Sequence, residues 1–246
     1  MATSGFSMRS MAKGMRSVLN IYNMDMSNPA SAQVILKAVT TMNEDIQLVE
    51  TQMNDLVVEG NIQDDATLVL HKHNFIGATS IIKESLCQLG NIVRLAATLT
   101  NVPKETNDCM YSMVDSVKRQ FNYGFDQAKE SFSALRQRVN TTPRLQESQL
   151  IQKILEEIGD NIEFARANDE VEERLNCLDN VRQGQEALNN AVDEVMCNDC
   201  PEGERQQLRQ IQHEMNVGTK MWDMVFYIGH VMVFILTLGA SVNRAS

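Results

Sequence analysis

Hydrophobic positions along this chain recur at the three- and four-residue spacing of α-helices. The clearest run lies between residues 29 and 59, where seven apolar residues are separated by alternating steps of four and three. A heptad spacing of this kind is typical of a helix that packs along a coiled-coil seam. The predicted helix-packing seam consists of Ile35, Val39, Met42, Ile46, Val49, Met53 and Leu56.

Apolar residues at helical spacing also predict long helices on both sides of Pro103 and beyond Pro143. Proline should break the helix at Pro143, and a second interruption is expected near Ala167. The connections are short, so consecutive long helices should run antiparallel. The predicted fold class is therefore all-α: an elongated antiparallel helical bundle with coiled-coil-like seams and one C-terminal transmembrane helix.

The sequence CNDCPEGE at 197–204 predicts a turn near the end of the bundle. Proline is favoured at the start of a helix, so a new helix should begin at Pro201 with Glu202 and Glu204 in its first turn. Gly218 is expected to end this short helix. The predicted segments are a basic amphipathic start at 1–28, a helical bundle at 29–196, a turn and short helix at 197–218, and a membrane-spanning helix with a short tail at 219–246.

An uncharged apolar stretch from Met224 to Ala240 is the strongest single signal in the chain, and it reaches 19 residues when it is extended to Val242. That length is about what crosses the hydrocarbon core of a bilayer. Charged residues flank the stretch at Lys220, Asp223 and Arg244. The alternative is a core helix of a soluble bundle, which would need every face of the stretch to be hidden. The predicted membrane-spanning residues are Met224, Val225, Phe226, Ile228, Val231, Val233, Phe234, Ile235, Leu236 and Leu238.

Residues 5–22 predict a short basic amphipathic helix that carries Arg9, Lys13 and Arg16, and no acidic residue precedes Asp25. Such a segment suits an anionic membrane surface, and a cleavable mitochondrial presequence shares the same composition. A helix that simply packs on the bundle is the alternative.

The net charge of -10 is confined to one part of the chain. Residues 144–217 hold 17 acidic and 7 basic side chains, while the rest of the chain holds 15 of each. Phosphate would be repelled by this segment, so no nucleic acid partner is expected. A solvated helix face is the ordinary explanation of such a charge run.

Sequence motifs for catalysis are not found: the chain contains no phosphate-binding glycine loop, no His-Glu-x-x-His and no Gly-x-Ser-x-Gly. Five cysteines, an odd number without regular spacing, indicate a reducing compartment. Cys197 and Cys200 form the best metal or redox candidate, but a structural zinc site needs four ligands and no second pair follows. We therefore expect no enzymatic activity, no catalytic residues, no metal and no cofactor.

One short segment, VEERLNCLDN at 171–180, is similar to the Arg-Leu-x-x-Leu tail motif of the ESCRT-III membrane-remodelling proteins through Arg174, Leu175 and Leu178. A basic, methionine-rich start followed by an acidic half also resembles that family. The resemblance implies a membrane-remodelling role. The chain departs from the family because the motif is internal here and an apolar stretch follows it.

These features lead to a hypothesis of a non-enzymatic, membrane-anchored helical interaction or scaffold protein. Its partner would be another protein or a second copy, bound through helices, together with the lipid bilayer. The alternatives are a membrane-active α-helical bundle that forms pores or remodels membranes, and an accessory subunit of a larger membrane complex. The expected location is a membrane, single-pass near the C-terminus, with most of the chain on the cytosolic face; a mitochondrial location stays open.

Overall fold

A computed structural model describes residues 28–59, 66–96, 104–197 and 200–245. All secondary structure in these ranges is helical, which confirms the all-α prediction for them. The predicted basic helix at 5–22 lies outside the described residues. The helices are α1 (Pro29–Glu59), α2 (Ala66–Ala96), α3 (Lys104–Thr141), α4 (Pro143–Gln146), α5 (Gln149–Ala167), α6 (Val171–Cys197) and α7 (Glu202–Ala245).

Both predicted interruptions in the middle of the chain are confirmed. Helix α3 ends at Thr141, and Pro143 opens the single turn of α4. Ser148 then caps α5, since its hydroxyl accepts a hydrogen bond from the backbone N–H of Ile151 at 3.4 Å. After Ala167 the Asn168 side chain accepts from the backbone N–H of Glu170, which turns the chain into α6.

Helix α7 begins at Glu202, directly after Pro201, as the sequence predicts. The prediction that Gly218 ends a short helix is wrong, because α7 continues without interruption from Glu202 to Ala245. Glycine within a helix costs only about 1 kcal/mol relative to alanine. The backbone of Gly218 is buried beside Ser131, so tertiary packing outweighs that cost.

The chain divides into two compact units. The second unit consists of Thr51–Phe75 and Phe121–Gly229, and the first contains the described residues up to Glu50, those of Ile76–Gln120 and those from His230 onward. Helices α1, α2, α3 and α7 therefore each contribute residues to both units.

In the first unit, α1 and α2 run antiparallel. Glu50 near one end accepts hydrogen bonds from Thr79 and Lys83, while Gly90 lies beside Val39 and Leu36 further back along α1. The core of this unit includes Ile35, Val39, Met42 and Ile46 from α1, Ile82, Leu86 and Leu89 from α2, and Val117 from α3.

In the second unit, four helix pairs run antiparallel. Two contacts define each pair, and the contact with the higher residue number on one helix has the lower residue number on its neighbour. The contacts are Lys129 with Glu163 and Phe132 with Gly159 for α3 and α5; Gly184 with Ile158 and Asn180 with Asn161 for α5 and α6; Arg182 with Asp223 and Asn189 with Asn216 for α6 and α7; Phe125 with Trp222 and Arg138 with Glu214 for α3 and α7.

Candidate functional site: the apolar segment of the last helix

The residues predicted to span a membrane all lie on α7. Within the described residues α7 is the one helix that is long and apolar enough to cross a bilayer, and 83% of its most apolar stretch is buried in protein. Two of the ten predicted residues are accessible: Val233 is half-buried and Leu236 is 42% exposed. The other eight are buried, namely Met224, Val225, Phe226, Ile228, Val231, Phe234, Ile235 and Leu238.

From Trp222 to Gly229, the side of α7 that faces α3 is apolar and closely packed, while Glu214 nearer the start of α7 pairs with Arg138 of α3. The indole ring of Trp222 meets the ring of Phe125 edge-on, with ring centroids 5.5 Å apart. Gly124 leaves room for Val225, which a Cβ at position 124 would meet at 3.4 Å. Gly229 lies so close to Phe121 that a Cβ at 229 would come within 2.9 Å of the ring. These contacts stabilise α7 through dispersion and the burial of apolar surface.

The side of α7 that faces α6 carries a buried ion pair. The Arg182 guanidinium donates to Asp223 at 2.6 Å, and the two residues are only 9% and 6% exposed. Asp179 and Lys220 extend the cluster, at 3.0 Å from Arg182 and 3.4 Å from Asp223. The guanidinium also lies over the ring of Phe226, 4.7 Å from its centroid. Asp223 directly precedes the apolar stretch, so this cluster marks its beginning.

Polar contacts continue along the same two helices towards the beginning of α7. Asn189 donates to Asn216 at 2.9 Å, and Gln212 donates to Asp193. On α6, Arg182, Asn189 and Asp193 are spaced by seven and four residues, which places them on one helix face. The sequence-based prediction missed this polar stripe because it followed the apolar positions alone; the helical spacing of the polar residues is the signal that identifies it.

Gln185 belongs to the same stripe, three residues after Arg182 and four before Asn189. It is 1% exposed, and neither its side-chain oxygen nor its nitrogen has a hydrogen-bond partner among the described residues. A buried amide without partners costs free energy, since its hydration is lost and not replaced. The contact between α6 and α7 is therefore polar and incompletely satisfied between Gln212 and Asp223, while Leu175 of α6 lies beside Gly229 further along α7.

The residues that resemble the ESCRT-III tail motif lie on α6 and pack inward. The guanidinium of Arg174 lies over the rings of Phe121 and Phe125, 4.8 and 5.7 Å from their centroids. Burial lowers the pKa of Arg174, and the nearby Asp169 opposes this shift. Leu175 and Leu178 are buried. In this arrangement the three side chains serve internal packing and do not form a surface motif.

The predicted packing seam on α1 is buried over its first four residues. Ile35, Val39, Met42 and Ile46 are all buried, and Gly90 of α2 lies beside Val39. The side chains of Val49, Met53 and Leu56 lie outside the part of the chain that the structure describes. The coiled-coil character of the seam stays a prediction.

The cysteine and histidine side chains that the structure describes do not converge on one place. Within the described residues no group of three or more His, Cys, Asp or Glu side chains could hold a metal ion. Cys200 is buried with its sulfur 4.0 Å from Glu204, while the Cys197 side chain lies outside the described part. Burial raises the pKa of the Cys177 thiol, with Glu173 adding to the shift, which disfavours the reactive thiolate.

Comparison with protein-family models, with curated proteins and with solved structures finds no match to this chain. Its function is therefore inferred from the chemistry of α7 and its neighbours.

Proposed function

We propose that this chain is a non-enzymatic, membrane-active helical protein that carries a bilayer-spanning segment in a sheltered, water-soluble arrangement. The observation that supports the proposal is the combination of apolar length and burial in α7. An uncharged stretch of spanning length runs from Met224 to Val242, and 83% of its most apolar part is covered by protein. A constitutive anchor would present such a surface to lipid.

The helices that pack against α7 in the second unit could not accompany it into hydrocarbon. Their outward faces are charged, as Asp126 and Glu130 on α3 and Glu173 and Glu186 on α6 illustrate. A single charged side chain at the centre of a bilayer costs about 2.5 to 3.5 kcal/mol on insertion scales. Insertion of α7 therefore requires its apolar segment to separate from these helices, which stay in water or at the interface.

A second candidate function is a membrane-anchored interaction or scaffold protein. This candidate is favoured by the charged residues that flank the apolar stretch, with Lys220 and Asp223 before the stretch and Arg244 after the stretch. In that case the apolar segment is permanently inserted, and the remaining helices bind another protein or a second copy. The two candidates differ in whether the full chain dissolves without detergent.

The deciding experiment is purification of the full chain without detergent, followed by flotation with vesicles of phosphatidylcholine and phosphatidylserine. Trp222 is the sole tryptophan, and it precedes the apolar stretch by two residues. Quenching of its fluorescence by brominated lipids therefore reports the arrival of α7 at the bilayer. We expect a soluble protein that acquires carbonate-resistant association and tryptophan quenching when vesicles are added.

Two other results would contradict the proposal. A chain that is insoluble without detergent, and extracted only by it, supports the permanently anchored protein instead. A chain that stays soluble and never associates with vesicles contradicts both candidates and makes α7 a core helix of a soluble protein.

A further inference from the structure

Helix α7 is held in the second unit by two chemically different contacts. Towards α3 it presents Trp222 and Val225 to Phe125 and Gly124. Towards α6 it presents Asp223, Asn216 and Gln212, which pair with Arg182, Asn189 and Asp193. Around Trp222 and Val225 the first contact is apolar and tightly packed, and the Arg138–Glu214 ion pair lies nearer the start of α7. From Gln212 to Asp223 the second contact is polar, and we name this stretch the α6–α7 seam; beyond it Leu175 of α6 lies beside Gly229.

Parting α7 from α3 and parting α7 from α6 have different consequences for the free energy. When apolar surfaces part, both become hydrated at a cost of about 25 cal/mol per Å² of exposed apolar area. When a buried ion pair parts, both ions regain the hydration that they lost on burial, which offsets much of the lost attraction. The Arg182–Asp223 pair, the Asn189–Asn216 hydrogen bond and the unpartnered Gln185 all lie on the second kind of surface.

The seam still specifies one alignment of the helices. Sliding α7 along α6 by one turn would place Asp223 away from Arg182 and would separate Asn189 from Asn216, leaving buried charges and amides without partners. The polar contacts therefore fix the register of the two helices while keeping the free energy of separating them low. An apolar contact of the same area would resist separation more strongly.

We infer that the α6–α7 seam is the contact that opens first, with α7 parting from α6 while it remains packed on α3. The inference rests on the proposed function only for its consequence at a bilayer, where opening of the seam is the first step towards release of the apolar segment. Asp223 directly precedes that segment, so the ion pair holds α7 at the position where the segment begins.

The order of opening can be measured in solution by thiol labelling of buried cysteines. The full chain is prepared with its five native cysteines replaced by alanine, and one reporter is introduced at a time, Gln185→Cys in the α6–α7 seam or Val225→Cys in the α3 contact. Both positions are 1% exposed, so labelling requires opening. Each labelling rate is divided by the rate of the same variant in denaturant.

We expect the normalised rate at position 185 to exceed that at position 225 at least about tenfold, which corresponds to roughly 1.4 kcal/mol. Equal rates, or faster labelling at 225, would overturn the inference. Circular dichroism of each variant verifies its fold. If either reporter variant fails to fold, the order is decided by cross-links at more accessible positions, which leave the buried contacts intact.

The cross-linked proteins use two cysteine pairs in the same cysteine-free background. Asp193→Cys with Gln212→Cys bridges α6 to α7, and Arg138→Cys with Glu214→Cys bridges α3 to α7 at a matched ion pair. A short bismaleimide joins each pair before vesicles of phosphatidylcholine and phosphatidylserine are added. We expect the α6–α7 bridge to reduce carbonate-resistant association at least about tenfold, as expected for a blocked opening step, and the α3–α7 bridge to reduce it less.

Equal inhibition by both bridges, or inhibition by the α3–α7 bridge alone, contradicts the inference. If even the unbridged protein never associates with vesicles, the proposed function is wrong. In that case the labelling rates at positions 185 and 225, or protection from protease by each bridge, still decide which contact opens first.

Discussion

At the scale of single residues, the most consequential group is the ion pair between Arg182 and Asp223. Both partners are almost fully buried, and the guanidinium also contacts Asp179 and the ring of Phe226. A buried ion pair seldom stabilises a fold more than apolar side chains of similar volume would, yet removing one partner leaves a buried charge uncompensated. Single and double substitutions should therefore have opposite effects.

Replacing Asp223 by Ala should lower the free energy of unfolding by about 3 to 5 kcal/mol, because Arg182 stays buried and loses its closest carboxylate. The double variant Arg182→Met with Asp223→Leu should be neutral or more stable by about 1 to 4 kcal/mol. Urea denaturation followed by circular dichroism measures both. A double variant that is clearly less stable than the unsubstituted protein would show that the ion pair is a net source of stability.

Gly229 is the position where the close approach of α7 to its neighbours leaves no room for a side chain. A Cβ there would meet Leu175 and would lie 2.9 Å from the ring of Phe121. Gly229→Ala should therefore destabilise the protein by about 1 to 3 kcal/mol, as overpacking of a core does.

The matched control for position 229 is Gly77→Ala, since Gly77 lies inside α2 and has nothing within 4 Å of the added Cβ. That substitution should raise stability by up to about 1 kcal/mol through helix propensity. Thermal melting of both variants tests the contrast, and a stabilised Gly229→Ala would contradict the packing described for α7.

At the scale of helices, α1 shows how a heptad pattern becomes a buried face. Ile46 is fully buried in the first unit, whereas Val34 on the same helix is 46% exposed. Ile46→Asp should lower the free energy of unfolding by at least about 3 kcal/mol, because it removes a buried branched side chain and places a charge among apolar neighbours. Val34→Asp should change it by less than about 0.5 kcal/mol.

Circular dichroism melting, with sedimentation of the same samples, distinguishes two roles for the α1 face. A cooperative loss of stability without a change in mass shows that the face belongs to the core of one chain. A variant that remains helical and stable but sediments with a lower mass shows that Ile46 lies at a contact between copies of the chain. An Ile46→Asp protein unchanged in both measurements would mean that the face is exposed.

Helix α7 also contains a group that links its stability to pH. Burial lowers the pKa of His213, so the folded protein favours the neutral imidazole. The unfolded chain takes up a proton near pH 6.5, and the free energy of unfolding therefore falls as the pH drops below that value, until the folded-state pKa is reached.

His213→Gln should make the melting temperature less dependent on pH between about pH 7.5 and 5.5, the range in which the unfolded imidazole titrates. Differential scanning calorimetry of the two proteins at several pH values measures the difference. Identical pH profiles would show that His213 does not contribute to the acid sensitivity.

At the scale of the whole molecule, substitutions on the exposed side of the apolar segment test membrane insertion without disturbing the fold. Leu236 is exposed and Val233 is half-buried, so arginine at both positions should leave the folded chain largely intact. In a bilayer the same residues would lie near the centre of the span, where each charge costs about 2.5 to 3.5 kcal/mol. The double variant should therefore fold but lose carbonate-resistant association.

Gln206→Arg with Gln207→Arg is the matched control, because it adds the same two charges to exposed positions of α7 far from the apolar stretch. Circular dichroism and vesicle flotation are measured for both proteins. Undiminished association of the Val233→Arg, Leu236→Arg variant would exclude insertion of this segment.

Local sequence determines where the helices of this protein form, because helix periodicity, proline breaks and caps are properties of neighbouring residues. Pro143, the break after Ala167 and the start of α7 after Pro201 all follow from such local rules. The apolar length of α7 is likewise a property of consecutive residues, so the stretch at 224–242 is evident from composition alone.

Packing between distant parts of the chain determines what surrounds that stretch. Gly218 does not end a helix because packing beside Ser131 outweighs a small local preference. The pairing of Arg182 with Asp223 joins residues 41 positions apart. No local pattern predicts such a pair, since it depends on which faces of α6 and α7 meet and in which register. The sequence makes α7 apolar enough for a membrane, and the tertiary fold covers it with protein.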